Sequence, residues 1–302
     1  MLRVHILFAL LTLCGICLAR AHMKSFYAKS KYITELTPKS FDDVVLKTNH
    51  TSVVEFYAPW CQYCMKFKRD YTKASKMASG FVQFGAVDCN KESNKPLCAE
   101  YKVQGFPTVM IFRPPKFTPN RKQRKHSVEV YKEERNAMSL VNVLKGRVKN
   151  YVTRITAKKL DKFFDLQNAV VNRTLLISEK SSLSPVFKSL SIDFLGSLDL
   201  GYVNLQNSDI KEALLSHISE LGDDFEAPKL IAISKEEGVS IFQGDMRNKL
   251  EISRFLANYG TPGEGPMSER GKIINAITLG KAKTFKEYNK NLKDDVPVKD
   301  EL

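Results

Sequence analysis

Val53-Val54-Glu55-Phe56-Tyr57-Ala58-Pro59-Trp60-Cys61-Gln62-Tyr63-Cys64 changes character partway along. Its first six residues have the composition of a buried strand, and Met65 to Met77, directly after it, has that of a helix. Cys61 therefore falls at a helix N-terminus, where unpaired backbone N–H groups and the helix dipole stabilise a thiolate. Cys64 follows one turn along, behind it. Such a pair suits disulfide exchange: the first sulfur attacks a disulfide, and the second resolves the resulting mixed disulfide intramolecularly. A lone C-x-x-C is also half of a zinc site or an inert structural disulfide. Cys89 and Cys98, with eight residues between them, lack zinc-knuckle spacing, so no metal ligands are assigned. Glu55 is the anomaly of the strand. With alternating side chains it shares an interior with valines and Phe56, and a buried carboxylate is costly unless paired or protonated, so it marks either a misread face or a functional group.

Further along stands Gln104-Gly105-Phe106-Pro107-Thr108. Taken with Tyr57 to Cys64, it resembles the catalytic thioredoxin-type domain of protein disulfide isomerases. The similarity runs from about Ile33 to Val148, and the layout is most similar to small fungal members with one catalytic domain. The resemblance implies a cis Pro107 facing the sulfurs and a Phe106 backbone that pairs with substrate peptide, within a groove shared by Trp60, Gln62, Tyr63 and Thr108. It also implies a catalytic set of Cys61, Cys64, Glu55 as proton acceptor for Cys64, and Arg135, which matches an arginine able to swing toward the second sulfur. By its own residue type Arg135 reads equally well as a solvated surface cation.

Three departures from that pattern stand out. Gln62-Tyr63 replaces the usual Gly-His and brings no cation between the cysteines. Ala86 stands where relatives often carry a lysine against the buried Glu, so Glu55 is expected to titrate higher and to need water as its partner. Cys89 and Cys98 lie beyond the catalytic pattern, bracketing a loop between a strand over Phe81 to Val87 and a helix from near Pro96. They are expected to form a structural disulfide worth ~2–3 kcal/mol on a chain-entropy estimate, with a second redox-active pair as the alternative.

The second half restates the first without thiols. Leu175 precedes Pro228 by 53 residues, as Val53 precedes Pro107 by 54, and the position equivalent to Cys61 falls on Ser182. The expected fold class is therefore α/β: two tandem thioredoxin-like domains, each a mixed central sheet flanked by helices, plus a short helical tail. The boundaries are 22–150 for the catalytic domain, 151–260 for a noncatalytic domain suited to client binding, and 261–302 for linker and tail. Thr261-Pro262-Gly263-Glu264-Gly265-Pro266 has linker composition, and Ile273, Ile274, Ile277, Phe285, Tyr288 and Leu292 have helical spacing after it, with a capping box at Thr284 and Glu287. An insertion rich in proline and basic residues, Arg113 to Lys125, reads as a solvated hairpin or as a dock for an acidic partner.

The ends of the chain address its compartment. An apolar run from Ile6 to Leu18 after Arg3, followed by Ala19-Arg20-Ala21, has the form of a cleaved leader over residues 1–21 and is too short to span a bilayer. Lys299-Asp300-Glu301-Leu302 is an endoplasmic-reticulum retrieval address. The expected location is the lumen of that organelle, an oxidising space in which the sequons at Asn49 and Asn172 are glycan acceptors. The expected partners are unfolded or misfolded secretory proteins, glutathione or an upstream thiol oxidase, and the KDEL receptor, with no integral membrane segment in the mature chain. The 302 residues carry a net charge of +14, which alone would suit nucleic acid, but the lumenal address argues against such a role and no nucleic-acid motif is present. Phosphate-binding glycine patterns are absent as well, and no cofactor is assigned. The function expected is a thiol-disulfide oxidoreductase or isomerase acting on folding proteins. Its rival is a non-enzymatic chaperone or adaptor in which the redox pair is a slow regulatory latch.

Overall fold

The computed structural model describes residues 25–118, 125–206, 208–222 and 224–294. The expected leader, the retrieval tetrapeptide Lys299 to Leu302 and the centre of the basic insertion lie outside these residues.

In the first unit β1 (Thr34–Glu35), β2 (Ser52–Tyr57), β3 (Gln83–Asp88), β4 (Thr108–Arg113) and β5 (Ser127–Val130) form one sheet in the order β1-β3-β2-β4-β5. The pairs β1/β3 and β2/β3 are parallel, whereas β2/β4 and β4/β5 are antiparallel. Helices α1 (Pro38–Phe41), α2 (Gln62–Ala78), α3 (Lys95–Glu100) and α4 (Ala137–Lys145) complete the unit. Every residue of β2 is buried, because a central strand covered on both faces reads as a continuous apolar run. Alternate side chains then enter different cores. Val53 and Tyr57 join Phe67, Tyr71, Leu140 and Leu144 on one side, while Val54 and Phe56 join Phe41, Leu97 and Phe112 on the other. Glu55 follows Val53 and Tyr57. It does not share a face with Phe56, as the sequence reading had it, because side chains one residue apart on a strand point to opposite faces.

The second unit repeats this plan. Its strands are β6 (Thr153–Arg154), β7 (Asn172–Ser178), β8 (Leu198–Asn204), β9 (Lys229–Ser234) and β10 (Gly238–Ile241), ordered β10-β9-β7-β8-β6 with the same parallel and antiparallel relations. Helices α5 (Leu160–Phe164), α6 (Pro185–Asp193), α7 (Ser208–His217) and α8 (Lys249–Leu256) flank it. Phe106-Pro107 and Ala227-Pro228 are both cis. The helix after the central strand starts later than simple counting gives. Ser184, not Ser182, caps α6, its hydroxyl accepting from Phe187 N at 3.1 Å. Ser184 is thus the counterpart of Cys61, because the loop between strand and helix is two residues longer than the spacing to the proline suggests.

The segment read as a linker is strapped down. Gly263 N and Glu264 N donate to the Asp193 carbonyl at 2.9 and 3.2 Å. The Glu264 carboxylate is buried, accepting from Thr48 Oγ1, from Asn49 N at 2.7 Å and from Asn49 Nδ2 at 2.8 Å. Beside it the Asp193 carboxylate, at the end of α6, meets His50 Nε2 at 2.7 Å and Lys249 Nζ at 2.8 Å. Gly265, at φ +80°, passes so close that a Cβ there would lie 2.3 Å from the Asp193 carboxyl carbon. Ile192 completes the first unit's core and Ser189 Oγ donates to the Gly80 carbonyl at 2.7 Å, so the two units share a packed boundary.

The tail consists of α9 (Glu269–Thr278) and α10 (Phe285–Asp294), and it returns to the first unit. Arg270 donates to the Asp43 carbonyl at 2.5 Å and lies over the Phe285 ring at 5.4 Å. Thr278 meets Thr34 of β1, their hydroxyl oxygens 2.6 Å apart, and Phe285 packs against the core around Phe41 and Phe112. The expected capping box is half formed. Thr284 Oγ1 accepts from Glu287 N at 3.1 Å, but the Glu287 carboxylate accepts from Lys283 N at 2.9 Å. Among the described residues no helix is long and apolar enough to cross a membrane.

Candidate active site

Cys61 is the N-cap of α2, and the turn Ala58 to Cys61 closes with Cys61 N donating to the Ala58 carbonyl at 3.0 Å. That geometry aims the first free N–H groups of the helix at the sulfur, and Cys61 Sγ accepts from Cys64 N at 3.4 Å. The cis-proline turn meets it from the other side, with the Phe106 carbonyl 3.5 Å from Cys61 Sγ. Cys61 is 7% exposed and Cys64 fully buried, and both are free thiols. The outer sulfur can meet a partner's disulfide, whereas the inner one can meet only Cys61.

Burial pushes the Cys64 thiol well up, and the negative charge of Glu55 nearby adds to this. Glu55 is itself 0% exposed, and burial raises its carboxyl to about 8. Two groups oppose that rise: the Tyr27 hydroxyl, which donates to Glu55 Oε2, and the positive charge of Arg135. Glu55 and Cys64 are thus two buried neighbours whose surroundings both disfavour charge. Ala86 lies directly across β3 from Glu55 and offers only a methyl group. The protein donor to Glu55 is the Tyr27 hydroxyl, which binds Oε2 and leaves Oε1 without a protein hydrogen-bond partner among the described residues.

Arg135 is exposed and donates from Nη2 to the Pro107 carbonyl at 3.3 Å, which places its guanidinium at the cis-proline turn. Trp60 stands 58% exposed beside the sulfur, its Nε1 donating to Asn90 Oδ1 at 3.0 Å and its ring meeting Phe106 edge-on at 6.0 Å. Gln62 and Tyr63 point outward from the first turn of α2, Tyr63 being 69% exposed. Thr108 is half-buried, and its hydroxyl donates to the Gly105 carbonyl at 2.7 Å, tying the turn that holds Pro107. Trp60, Gln62, Tyr63, Phe106 and Pro107 therefore surround Cys61, while Thr108 acts on the turn's shape.

Cys89 and Cys98 are joined as a disulfide with their Cα atoms 6.0 Å apart. Both are buried with Leu97, Val87 and Phe112, in the core on the opposite side of the sheet from Cys64. The sequon amides are engaged too, Asn49 Nδ2 with Glu264 and Asn172 Nδ2 with the Tyr259 carbonyl at 2.9 Å. Among the described residues no cluster of three or more His, Cys, Asp or Glu is arranged to hold a metal ion. Sequence reasoning missed Asn90 and Tyr27. Asn90 sits in a loop without pattern, and Tyr27 precedes the first strand, where nothing local links it to Glu55.

Comparison with known proteins agrees with this geometry. The thioredoxin family matches residues 32–145. Protein disulfide-isomerase MPD1 of Saccharomyces cerevisiae is 34% identical over 292 residues, covering 88% of this chain and 91% of that protein. A putative protein disulfide-isomerase of Dictyostelium discoideum is 31% identical over 76% of this chain, which spans 53% of that protein's length. A thioredoxin domain-containing protein of Schizosaccharomyces pombe, named as mitochondrial, is 32% identical over 74% of this chain and 58% of its own. The chain belongs to the protein disulfide isomerase family of thiol-disulfide oxidoreductases, built on the thioredoxin fold.

Proposed function

We propose that this protein forms, reduces and rearranges disulfides of folding secretory proteins in the lumen of the endoplasmic reticulum, through the Cys61-Gln62-Tyr63-Cys64 pair. The observation that carries this reading is the layering of the site: Cys61 Sγ at the mouth of the groove, 3.5 Å from the Phe106 carbonyl, with Cys64 and Glu55 buried behind it. In reduction, the Cys61 thiolate attacks one sulfur of a client disulfide, and the client's other sulfur leaves as a thiolate. Cys64 then gives its proton to Glu55 and attacks Cys61 Sγ. The Cys61–Cys64 disulfide forms, the client's second thiolate leaves, and two electrons have passed to the client. Oxidation runs the same steps backward, and isomerisation uses the first step and its reversal. The leader and the Lys299 to Leu302 address support the lumenal location, with the KDEL receptor and an upstream thiol oxidase or glutathione as partners. Trp60, Tyr63 and the Phe106 backbone form the client-facing wall, and Arg135, at the Pro107 carbonyl, favours the Cys64 thiolate during resolution.

The test is Cys61→Ser, assayed by reduction of a fluorescent disulfide substrate and by refolding of a reduced multi-disulfide client. Loss of both supports the redox mechanism. Refolding assistance undiminished by the substitution would favour the adaptor reading.

A further inference from the structure

We propose that Tyr27 is a positioning residue of the redox site: its hydroxyl holds one oxygen of Glu55 and shifts that carboxyl toward the form that takes the Cys64 proton. The inference rests on the role proposed above for Glu55 and deepens it. Tyr27 is 2% exposed and is packed edge-on against Tyr57 and tilted against Tyr71, so its ring has one place to be. Its hydroxyl donates to Glu55 Oε2, whereas Glu55 Oε1 has no protein hydrogen-bond partner among the described residues. One carboxylate oxygen is thus fixed, and the other keeps a lone pair available for a proton.

The segment before β1 is anchored so as to deliver that hydroxyl. Phe26 stacks on Tyr57 with ring centroids 4.8 Å apart, and Lys68 Nζ lies 4.9 Å over the Phe26 ring. Phe26 N donates to the Tyr57 hydroxyl at 3.1 Å, and Tyr27 N donates to Glu35 Oε1 at 2.9 Å. Ser25 Oγ closes the clasp by donating to the same Glu35 oxygen. The groups facing Glu55 come from every neighbouring element: Tyr27 and Arg135, which favour its charged form, and Glu35 of β1, the Cys64 thiol and Tyr71 of α2, whose negative forms oppose it. Among these, Tyr27 alone donates a hydrogen bond to the carboxylate. A buried carboxylate that loses its donor holds its proton more tightly, and a protonated Glu55 cannot accept the one on Cys64.

The experiment uses the full chain, reduced and mixed with oxidised glutathione. Cys61 attacks to form the Cys61–glutathione mixed disulfide and releases one glutathione. Cys64 then displaces the second, and acid quench with mass spectrometry follows the mixed disulfide with time. Tyr27→Phe removes only the hydroxyl. The expected result is an unchanged first step, a resolution step about tenfold slower at pH 7, and an acid limb moved up by about one pH unit, since one pH unit is a tenfold change in proton affinity. In a Glu55→Gln background Tyr27→Phe has no further effect. Should Tyr27→Phe fold poorly, replacing Tyr27 by 3-fluorotyrosine, a stronger donor of the same shape, moves the limb to lower pH instead. If Glu55→Gln slows resolution but Tyr27→Phe leaves it alone, or slows it equally in the Glu55→Gln background, the Tyr27 proposal is overturned and the Glu55 role stands. If Glu55→Gln itself changes nothing, both fall.

Discussion

Asp193→Asn is the sharpest perturbation of the boundary between the two units. The carboxylate is 1% exposed and bonded on one side to His50, whose side chain is 7% exposed, and on the other to Lys249, 15% exposed. Burial alone would raise the Asp193 carboxyl, but the Lys249 ammonium and His50 outweigh it and hold the group below the ordinary carboxylate range. Losing one partner of a fully buried ion pair costs about 3–5 kcal/mol. Asparagine keeps the shape and can still bond to a neutral His50, and Lys249 retains some access to water, so the expected loss is about 2–3 kcal/mol, at or below the foot of that range. For a chain of this size that corresponds to a melting temperature lowered by about 3–5 °C. Thermal melts followed by circular dichroism between pH 3 and pH 7 provide the assay. Because the folded carboxyl holds its proton less tightly than the unfolded one, near 3.9, its contribution is complete above that value and fades as pH falls through the folded value. The difference between wild type and variant should therefore be full at pH 7 and shrink toward zero in acid. An equal melting temperature at pH 7, or a difference that does not change with pH, would refute the assignment of Asp193 as a buried anion joining the units.

Replacing Cys89 and Cys98 together by Ala should lower stability by about 2–3 kcal/mol, the loop-closure value for a bridge spanning nine positions, and leave turnover unchanged; lost turnover at unchanged stability would make this pair redox-active. Phe285→Ala should free the tail from the first unit at a cost of about 1–2 kcal/mol, read as faster proteolysis between 279 and 294 with little change in the exchange reaction. Gly265→Ala sets a side chain against the Asp193 carboxylate at a left-handed φ and should cost about 2 kcal/mol or more, visible as a melting temperature lowered in the same pH-dependent way as in Asp193→Asn.

The redox motif was legible because its signals are local. An apolar strand, two cysteines three positions apart and a helical stretch dictate which sulfur is outside, and α2 begins where that reading needs it. The burial of Glu55 was legible only as one of two readings, since a carboxylate inside an apolar run marks either a misread face or a buried group, and the run does not say which face it takes. Its partner was not, because Tyr27 reaches it from 28 positions away, out of a segment without periodicity. Residues 261–266 show the converse failure. Glycine and proline there look like a flexible connection, yet Gly265 is needed for close approach to Asp193, and Glu264 accepts hydrogen bonds from Thr48 and Asn49, more than two hundred positions away in sequence. Composition reports what a backbone can do, while the use made of it depends on contacts that only the assembled fold brings together. Counting residues between repeats placed the prolines correctly but missed the helix start at Ser184, since a loop can lengthen without moving the strands around it.

The central claim is that Cys61 attacks and Cys64 resolves. Its most direct test is a Cys64→Ala variant mixed with a peptide carrying one disulfide, quenched in acid and mapped by mass spectrometry. The account predicts a stable adduct confined to Cys61, with Cys89 and Cys98 still joined to each other and no adduct in a Cys61→Ser control. An adduct on Cys89 or Cys98, or no adduct at Cys61 when Cys64 cannot resolve it, would contradict it.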